Sequence, residues 1–329
     1  MMFLMDSPKV ILKTLKSAKT ILIPLHLRPD GDMVGSALAF YHFLKDQGKK
    51  VVVASADPIT PELLFLTAAK RIKIQDPVKL DLEKFEVMLL CDNGDEHRYS
   101  KQEKVSLPPK MVVINIDHHD SNVSFGDLNY VDKKAVSATQ VIYEIFRLSK
   151  TPISPTVAQC LLTGLYTDSN SFTSSKTSDS SLTAGAELVK RGAQPQKVIE
   201  NAFWSWSTQA PLLWQIILDN FKTRKGVAYS FISEEERKKV KATLAEVSAA
   251  KAFAAQNLMM AVHKIRASIV FVEENPQLIR VSLRSKGRFD VGKIAHELGG
   301  GGHTNSAAFD YHGTLRTALR SVVRFVTEA

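Results

Sequence analysis

Met111-Val112-Val113-Ile114-Asn115-Ile116 runs without a spacer into Asp117-His118-His119-Asp120. The first six residues are mostly apolar and β-branched, which predicts a buried β-strand. A buried strand that ends in an acid and two imidazoles delivers charged, metal-binding groups to the edge of a sheet. We therefore expect most of the chemistry of this protein to converge on that edge.

The composition is that of an ordinary globular protein with two domains. The chain has 329 residues, of which 44% are hydrophobic and 23% are charged, and roughly 150 residues per domain is the usual size. No apolar run approaches the roughly 18 residues of a membrane span, and residues 1–5 lack the basic region of a signal peptide. Cys91 and Cys160 are expected as buried thiols, which fits a cytoplasmic protein without a membrane partner. The net charge of +9 favours anionic partners such as phosphates or nucleic acid.

Strand patterns alternate with helix patterns through the first half of the chain. Strands are predicted at residues 20–25, 51–54, 86–91 and 111–116, and helices at residues 8–18, 34–44 and 61–69. This alternation predicts an α/β fold with a mostly parallel sheet covered on both faces. The sequence pattern predicts a helix at residues 195–221, so we expect the domain junction to be helical. We predict a metal-binding catalytic domain at residues 1–195, a helical linker at 196–224 and a smaller α/β substrate-binding domain at 225–329.

Polar residues follow the carboxyl ends of three separate predicted strands. These residues are His26, Asp92 and Asp117. Ligands of open α/β sheets bind at that edge, so we expect the three side chains to lie together. Asp92 and Asp168 are weak signals alone, because an aspartate before Asn-Gly or after a helix is commonly a turn or cap residue.

The loop after the first strand combines an imidazole with two carboxylates, His26, Asp30 and Asp32. This donor set suits Mn²⁺ or a similar ion better than a thiolate-rich zinc site would. The two carboxylates of an Asp-x-Asp pair point apart, so each can serve a different metal. The alternative is a solvated loop in which Asp32 caps the following helix.

Asp117-His118-His119 is a stronger signal. Adjacent residues at a strand end project in opposite directions, so one imidazole can bind a metal while the other faces the substrate as a general acid. Asp117 can orient an imidazole from behind. The alternative, a surface cluster, is disfavoured because the preceding strand is so apolar.

A glycine run at residues 299–302 precedes His303. Backbone N–H groups of such a run can form a nest around a phosphate, and Arg284 and Lys286 can add charged contacts to it. The alternative is a loop without a function.

Together these motifs resemble the DHH family of phosphoesterases, in the subfamily that carries a DHH-associated C-terminal domain. The resemblance covers nearly the whole chain, and five short motifs in the right order and spacing are highly specific. They are His26-Leu27-Arg28-Pro29-Asp30-Gly31-Asp32 with Gly35-Ser36, Asp92, Asp117-His118-His119, Gly164-Leu165-Tyr166-Thr167-Asp168, and Arg284-Ser285 with residues 299–303.

The resemblance implies two bound Mn²⁺ ions, with Mg²⁺ or Co²⁺ as alternatives. It implies that His26, Asp30 and Asp92 hold one ion and that Asp92 also bridges to the other. The second ion would be held by Asp32, Asp92, His118 and Asp168. Asp117 and His119 would be catalytic, with His119 a general acid or a phosphate ligand. The substrate would be bound by Arg284, Ser285, Gly300, Gly301, Gly302 and His303.

Within the family, the chain looks most like the nanoRNase and 3′-phosphoadenosine 5′-phosphate phosphatase type, which takes short oligonucleotides or nucleotides as substrates. One alternative is a phosphodiesterase for cyclic di-AMP or its linear product pApA. The C-terminal glycine-His signature argues against an inorganic pyrophosphatase. A non-catalytic nucleic-acid-binding protein is the alternative from another class, and a homodimer is compatible with the sequence.

Two positions depart from the family pattern. Ser169-Asn170 stands where many relatives have Thr-Gly, and Asn tolerates the left-handed backbone that such a turn needs. Ala307-Ala308-Phe309 ends a run that usually ends in Gly, which concerns the local backbone and not the metal ligands.

Overall fold

The computed structural model describes residues 5–102 and 105–329, except for the side chain of His303. Residues 1–4, part of the apolar start, lie outside the described residues. The chain divides between Ser205 and Trp206 into two compact units, within the interval 196–224 predicted as a linker. Within the described ranges, no helix combines the length and the apolar character that a membrane crossing requires.

The first unit is built on a six-stranded sheet in which every neighbouring pair is parallel. The spatial order of the strands is β3-β2-β1-β4-β5-β6. The strands are β1 (Thr20–Pro24), β2 (Lys50–Ser55), β3 (Lys73–Ile74), β4 (Val87–Cys91), β5 (Val112–Asp117) and β6 (Leu128–Val131). The helices are α1 (Pro8–Ser17), α2 (Gly31–Lys45), α3 (Ala138–Leu148), α4 (Pro155–Asp168), α5 (Asp179–Lys190) and α6 (Pro195–Val198).

Both faces of this sheet are buried, but in different ways. Ile21 and Ile23 of β1 point into a core made with the helices, whereas Leu22 between them points to the other side. On that other side Tyr99, Phe85 and neighbouring loop residues cover the sheet. The expected parallel α/β architecture is therefore confirmed, with helices on one face and loops and 3₁₀ turns on the other.

The second unit contains a mixed six-stranded sheet in the order β11-β12-β10-β9-β8-β7. All of its neighbouring strands are antiparallel except the parallel pair β8 and β9. The strands are β7 (Lys222–Arg224), β8 (Val227–Ile232), β9 (Ala267–Asn275), β10 (Leu278–Ser285), β11 (Gly301–His303) and β12 (Ser306–His312). The helices are α7 (Ala210–Asp219), α8 (Glu234–Lys239), α9 (Leu244–Phe253), α10 (Val291–Glu297) and α11 (Leu315–Glu328).

The two faces of the second sheet carry different helices. Ile279, Val281 and Leu283 of β10 pack in a core with α10 and α11. On the opposite face, Val270 and Val272 of β9 pack with α7, α9 and a π-helical turn, Ala254–Met259. This second layer lies over β8 and β9, and Ala308 of β12 on the same face is exposed.

Two predicted helices are wrong. Residues 61–69 form two 3₁₀ turns, Pro61–Leu63 and Ala69–Arg71, because Ala68 takes a left-handed φ of 70° that interrupts a helix. The helix predicted at 195–221 is broken into α6, a π-helical turn at Ile199–Phe203 and α7. Pro211 in the first turn of α7 lacks the N–H that would continue a helix from the preceding residues.

Candidate metal centre

The first motif lies at the start of α2, which begins at Gly31, three residues earlier than predicted. Asp30 is the helix cap, because its Oδ1 accepts hydrogen bonds from the backbone N–H groups of Asp32 at 3.1 Å and Met33 at 3.0 Å. Its side chain remains 58% exposed. Asp32, which the alternative interpretation made the cap, is instead buried in the first turn.

Asp32 is held by the start of another helix. Its Oδ2 accepts from the Ala138 N–H at 2.6 Å, and its Oδ1 accepts from the Thr139 N–H at 3.0 Å and the Thr139 hydroxyl at 2.7 Å. The N–H groups in the first turn of α3 have no partner inside the helix, so a carboxylate there is favoured. The carboxylate of Asp32 is thus fixed in orientation before any cation binds.

Close packing of α2 against α4 brings Asp32 and Asp168 to the same place. A Cβ on Gly35 would lie 2.5 Å from the Cys160 carbonyl oxygen, and one on Gly164 would lie 2.6 Å from Asp32 Oδ1. Glycine is therefore required where these helices touch. Asp168, expected in the loop after α4, is the last residue of the helix and is 35% exposed.

Asp92 lies at the centre of the cluster. It follows β4 with a left-handed φ of 52°, and its side chain is buried. Its Oδ2 is 3.4 Å from Nε2 of His26, and its Oδ1 is 3.4 Å from Nε2 of His118. The two oxygens of one carboxylate therefore face two different imidazoles.

The remaining ligand candidates complete two sets of donors. Nε2 of His118 lies 3.5 Å from Asp168 Oδ2 and 3.9 Å from Asp32 Oδ2. In each of the sets His26–Asp30–Asp92 and Asp32–His118–Asp168, one ligand atom per residue lies within 4.8 Å of the others. These are the two groups that the family resemblance implies, with Asp92 adjoining both.

The donor atoms fit divalent cations. Nε2 of His26 and Oδ1 of Asp92 are buried without a hydrogen-bond partner among the described residues, and a buried orphan polar atom is costly unless something binds it. Two ligand atoms that each bind a cation at about 2.0–2.2 Å lie some 3–3.5 Å apart. The Nε2 atoms of His26 and His118 each lie 3.4 Å from an oxygen of Asp92, and His118 Nε2 lies 3.5 Å from Asp168 Oδ2. Nitrogen and carboxylate donors without a thiolate define a site for a hard or borderline ion.

The charges of the site also call for a cation. Burial and the neighbouring Asp92 carboxylate raise the pKa of Asp32 to about 7. Desolvation and the Asp32 carboxylate raise the pKa of Asp168 well above its usual range. Burial opposes the charged form of His118, yet Asp92, Asp32 and Asp168 together raise its pKa to about 10. Protons are therefore retained where bound cations would replace them.

The end of β5 positions the third motif. Nδ1 of His119 lies 2.8 Å from Oδ1 of Asp117. The ring nitrogen is the donor of this hydrogen bond, because an ionised carboxylate can only accept. His119 also lies near Asp92, with Nδ1 at 3.6 Å from Asp92 Oδ1. Asp117 thus orients the His119 ring, as the sequence had indicated for one of the two imidazoles.

Three asparagines that the sequence analysis did not single out support Asp117. Nδ2 of Asn122 donates to Asp117 Oδ2 at 2.6 Å, to Asn115 Oδ1 at 2.8 Å and to the Asn93 carbonyl at 3.1 Å. All three asparagines are buried. The signal that could have found them is Asn115, a polar residue in the middle of an apolar strand, because buried polar groups need partners.

The predicted substrate residues lie in the second unit, apart from the metal ligands in sequence. Arg284 and Ser285 end β10, and Gly301, Gly302 and His303 form β11, with Gly300 just before it. The side chain of His303 lies outside what the structure describes. Ser285 Oγ donates to the Phe289 carbonyl at 2.6 Å and accepts from Asn305 Nδ2 at 2.9 Å, so its hydroxyl holds the surrounding turn together.

Gly301 and Gly302 of the glycine run lie in the short edge strand β11, and Gly299 before it has a left-handed φ of 80°. A Cβ on Gly300 would lie 2.3 Å from the Ala308 carbonyl oxygen, and Gly302 has a φ of 145°. These glycines therefore let β11 lie directly on β12. Asn170, which departs from the family's Thr-Gly pattern, has a left-handed φ of 47°, a conformation that asparagine tolerates.

Comparison with known proteins agrees with the motifs and the geometry. Residues 20–165 match the DHH family, N-terminal domain, and residues 258–328 match the DHHA1 domain. The chain belongs to the DHH phosphoesterases with a DHHA1 domain, and it is a metal-dependent hydrolase.

Among particular proteins, the chain is similar to two named "bifunctional oligoribonuclease and PAP phosphatase NrnA". The one from Thermus thermophilus is 29% identical, over 98% of this chain and 94% of the relative. The one from Bacillus subtilis is 26% identical, over 89% of this chain and 90% of the relative. The fold matches the crystal structure of an exopolyphosphatase-related protein from Bacteroides fragilis with a TM-score of 0.90, at 24% identity over 98% of this chain and 95% of that one.

Proposed function

We propose that this phosphoesterase hydrolyses short oligonucleotides from the 3′ end to mononucleotides, and also removes phosphate from 3′-phosphoadenosine 5′-phosphate. The observation that carries the proposal is the position of Asp92, whose two oxygens each lie 3.4 Å from an imidazole of a different donor set. A carboxylate shared in this way is the arrangement that two adjacent cations need.

The similarity of the chain to the two NrnA relatives supports the choice of substrates. The match extends over most of this chain and of each relative, so it includes both the metal-site motifs and the DHHA1 domain. The shared motifs and this coverage, at 26–29% identity, support short oligonucleotides and 3′-phosphoadenosine 5′-phosphate as the substrates.

We propose Mn²⁺ as the cation, with Mg²⁺ and Co²⁺ as substitutes. Each set contains one imidazole and at least two carboxylates within reach. This mixture of nitrogen and oxygen donors suits Mn²⁺, whereas Mg²⁺ and Ca²⁺ prefer oxygen donors alone. Bound at this site, two such ions would activate a water molecule as nucleophile and neutralise charge on the phosphoryl group.

The protein residues around the site have separable roles in this proposal. Asp32 is immobilised by the start of α3, so its carboxylate needs little reorganisation on binding. His119, oriented by Asp117, donates a proton or a hydrogen bond to the phosphate. Arg284 holds the far end of the substrate through a charge-assisted contact to phosphate.

The proposal is tested by assaying the purified full chain with Mn²⁺ on pApA, longer RNA, 3′-phosphoadenosine 5′-phosphate, cyclic di-AMP and pyrophosphate. We expect turnover of pApA and of 3′-phosphoadenosine 5′-phosphate, and weaker turnover as the RNA lengthens. Preferential cleavage of cyclic di-AMP would replace the proposal by the cyclic dinucleotide alternative. Absence of turnover of all five would contradict it.

A further inference from the structure

The segment that carries the first two candidate ligands has a strained backbone. Between His26 and Asp30, Arg28 takes a left-handed φ of 55°. Side chains other than glycine are disfavoured in this region. A residue that precedes a proline is normally extended, with a negative φ, so Pro29 disfavours this conformation a second time. Such strain persists only where the surrounding structure enforces it, so another part of the chain must hold Arg28.

Asp57 is the acceptor that holds Arg28. Its Oδ2 accepts a hydrogen bond from the backbone N–H of Arg28 at 2.9 Å. Asp57 lies just after the end of β2, the parallel neighbour of β1. Parallel strands bring their carboxyl ends to one edge of a sheet, and the loop of Asp57 meets the loop of the first motif there. A side chain 29 positions along the chain therefore fixes the strained peptide group.

The carboxylate of Asp57 is itself held in place. Nζ of Lys101 lies 2.6 Å from its Oδ1, and 20% of the Asp57 side chain is exposed. The hydrogen bond from Lys101 holds the pKa of Asp57 below its usual range, so the side chain is an acceptor at neutral pH. The hydroxyl of Ser55, a buried residue, donates to the backbone carbonyl of Asp57 at 2.6 Å. Both the side chain and the backbone of Asp57 are thus fixed.

The loop that contains Lys101 anchors the first motif at a second point. The backbone carbonyl of Arg98 accepts from the N–H of Leu27 at 2.8 Å. Leu27 and Arg28, the two residues after His26, are therefore each hydrogen-bonded to a loop that follows a neighbouring strand, β4 or β2. These two anchors set the direction in which the chain leaves His26.

We propose that Asp57 is a positioning residue of the metal centre. By holding Arg28 in its left-handed conformation, it places the ligands on either side, His26 and Asp30, for one of the two cations. The other set of ligands has anchors of its own, because Asp32 is held by the first turn of α3. The effect on metal binding rests on the two-cation site proposed above, whereas the anchoring of Arg28 can be measured without a metal.

The test compares Asp57→Ala with Asp76→Ala. Asp76 is a half-buried aspartate that accepts from the backbone N–H of Lys101 at 3.0 Å, so it holds the same loop through a residue other than Arg28. We expect Asp57→Ala to weaken one of the two Mn²⁺ binding steps seen by calorimetry by about 10- to 100-fold, the usual effect of a residue that supports a metal ligand from outside. This should be the step that His26→Ala abolishes. Asp76→Ala should leave both steps unchanged.

A measurement without metal separates this role from catalysis. In EDTA, the amide hydrogen of Arg28 should exchange faster in Asp57→Ala than in the wild type or in Asp76→Ala, because only Asp57→Ala lacks the acceptor. A further variant removes the strain itself. Glycine adopts the left-handed conformation freely, so Asp57→Ala should weaken Mn²⁺ binding less in an Arg28→Gly background than in the wild type.

Two results would overturn the proposal. One is unchanged exchange of the Arg28 amide in Asp57→Ala, and the other is Mn²⁺ binding by Asp57→Ala that equals that of the wild type. Should Asp57→Ala fail to fold, Asp57→Asn, which keeps one acceptor, takes its place, and smaller changes in the same directions are expected. The exchange measurement requires no turnover of any substrate, so failure of the proposed function and failure of this inference are distinguishable.

Discussion

Nδ1 of His119 lies 2.8 Å from Oδ1 of Asp117, while the other oxygen of the same carboxylate accepts from Asn122 at 2.6 Å. Both oxygens of Asp117 thus accept a hydrogen bond. One oxygen holds the His119 ring, and the other is held in turn by Asn122.

This relationship predicts the effect of Asp117→Asn. The amide has one oxygen for two donors, so either His119 or Asn122 loses its acceptor. We expect kcat to fall by about 10- to 100-fold, as for other residues that orient an active-site group from behind. Bound metal, measured by atomic emission, should not change. Asp120→Asn, which alters an exposed carboxylate in the loop after β5, is the control, and full activity of Asp117→Asn would refute the orienting role.

Asp92→Asn should remove both cations at once. Asparagine tolerates the left-handed backbone at this position, so the loop keeps its shape while the bridging charge is lost. We expect Mn²⁺ affinity to fall by at least about 100-fold, the upper end seen for outer partners of metal sites, and activity to fall with it. Calorimetric titration with Mn²⁺ measures this, and Asp81→Asn is a matched exposed control. Two ions bound at the wild-type affinity would contradict the bridging role.

Gly164→Ala tests the contact of α2 with α4. The added methyl group would lie 2.4 Å from Thr139 Cγ2 and 2.6 Å from Asp32 Oδ1, so the helices must separate. We expect a loss of about 1–3 kcal/mol of unfolding free energy, typical of overpacking, and weaker metal binding because Asp32 moves. Gly185→Ala serves as the comparison, since its methyl group would meet side chains alone, with Phe172 Cζ at 2.9 Å and Leu165 Cδ2 at 3.8 Å. Equal stability and metal affinity in the two variants would argue against the close contact.

Metal binding should release protons and strengthen as pH rises. Without the cations the pKa of His118 is about 10 and that of Asp32 about 7, so below these values each group holds a proton that a cation must displace. The affinity for Mn²⁺ should therefore be higher at pH 8 than at pH 6. Titrations in two buffers of different ionisation enthalpy count the protons released, and a pH-independent affinity with no release would contradict the charge balance described.

The position of the candidate metal centre could be predicted from the sequence because a simple rule of topology places it. His26, Asp92 and Asp117 follow strands, and parallel strands bring their carboxyl ends to one edge. In the structure these residues belong to overlapping groups of potential ligands, and Asp92 is common to the group of His26 and the group of Asp117. The assignment of each ligand to one of the two ions came from the family motifs, because the positions of strand ends do not predict which ligand atoms lie next to each other.

What the sequence could not provide are partners distant along the chain. Asp32 is held by Ala138 and Thr139, more than a hundred residues later, and no local pattern predicts that contact. Periodicity also failed at residues 61–69, because buried residues at every third position suit 3₁₀ turns as well as a helix.

Asp92 combines a left-handed backbone conformation, which costs stability, with a side chain at the centre of the candidate metal centre. Glycine would avoid a cost of roughly 1 kcal/mol in this conformation, but it would also remove the carboxylate whose two oxygens face His26 and His118. Backbone strain and metal binding therefore make opposite demands on this one residue.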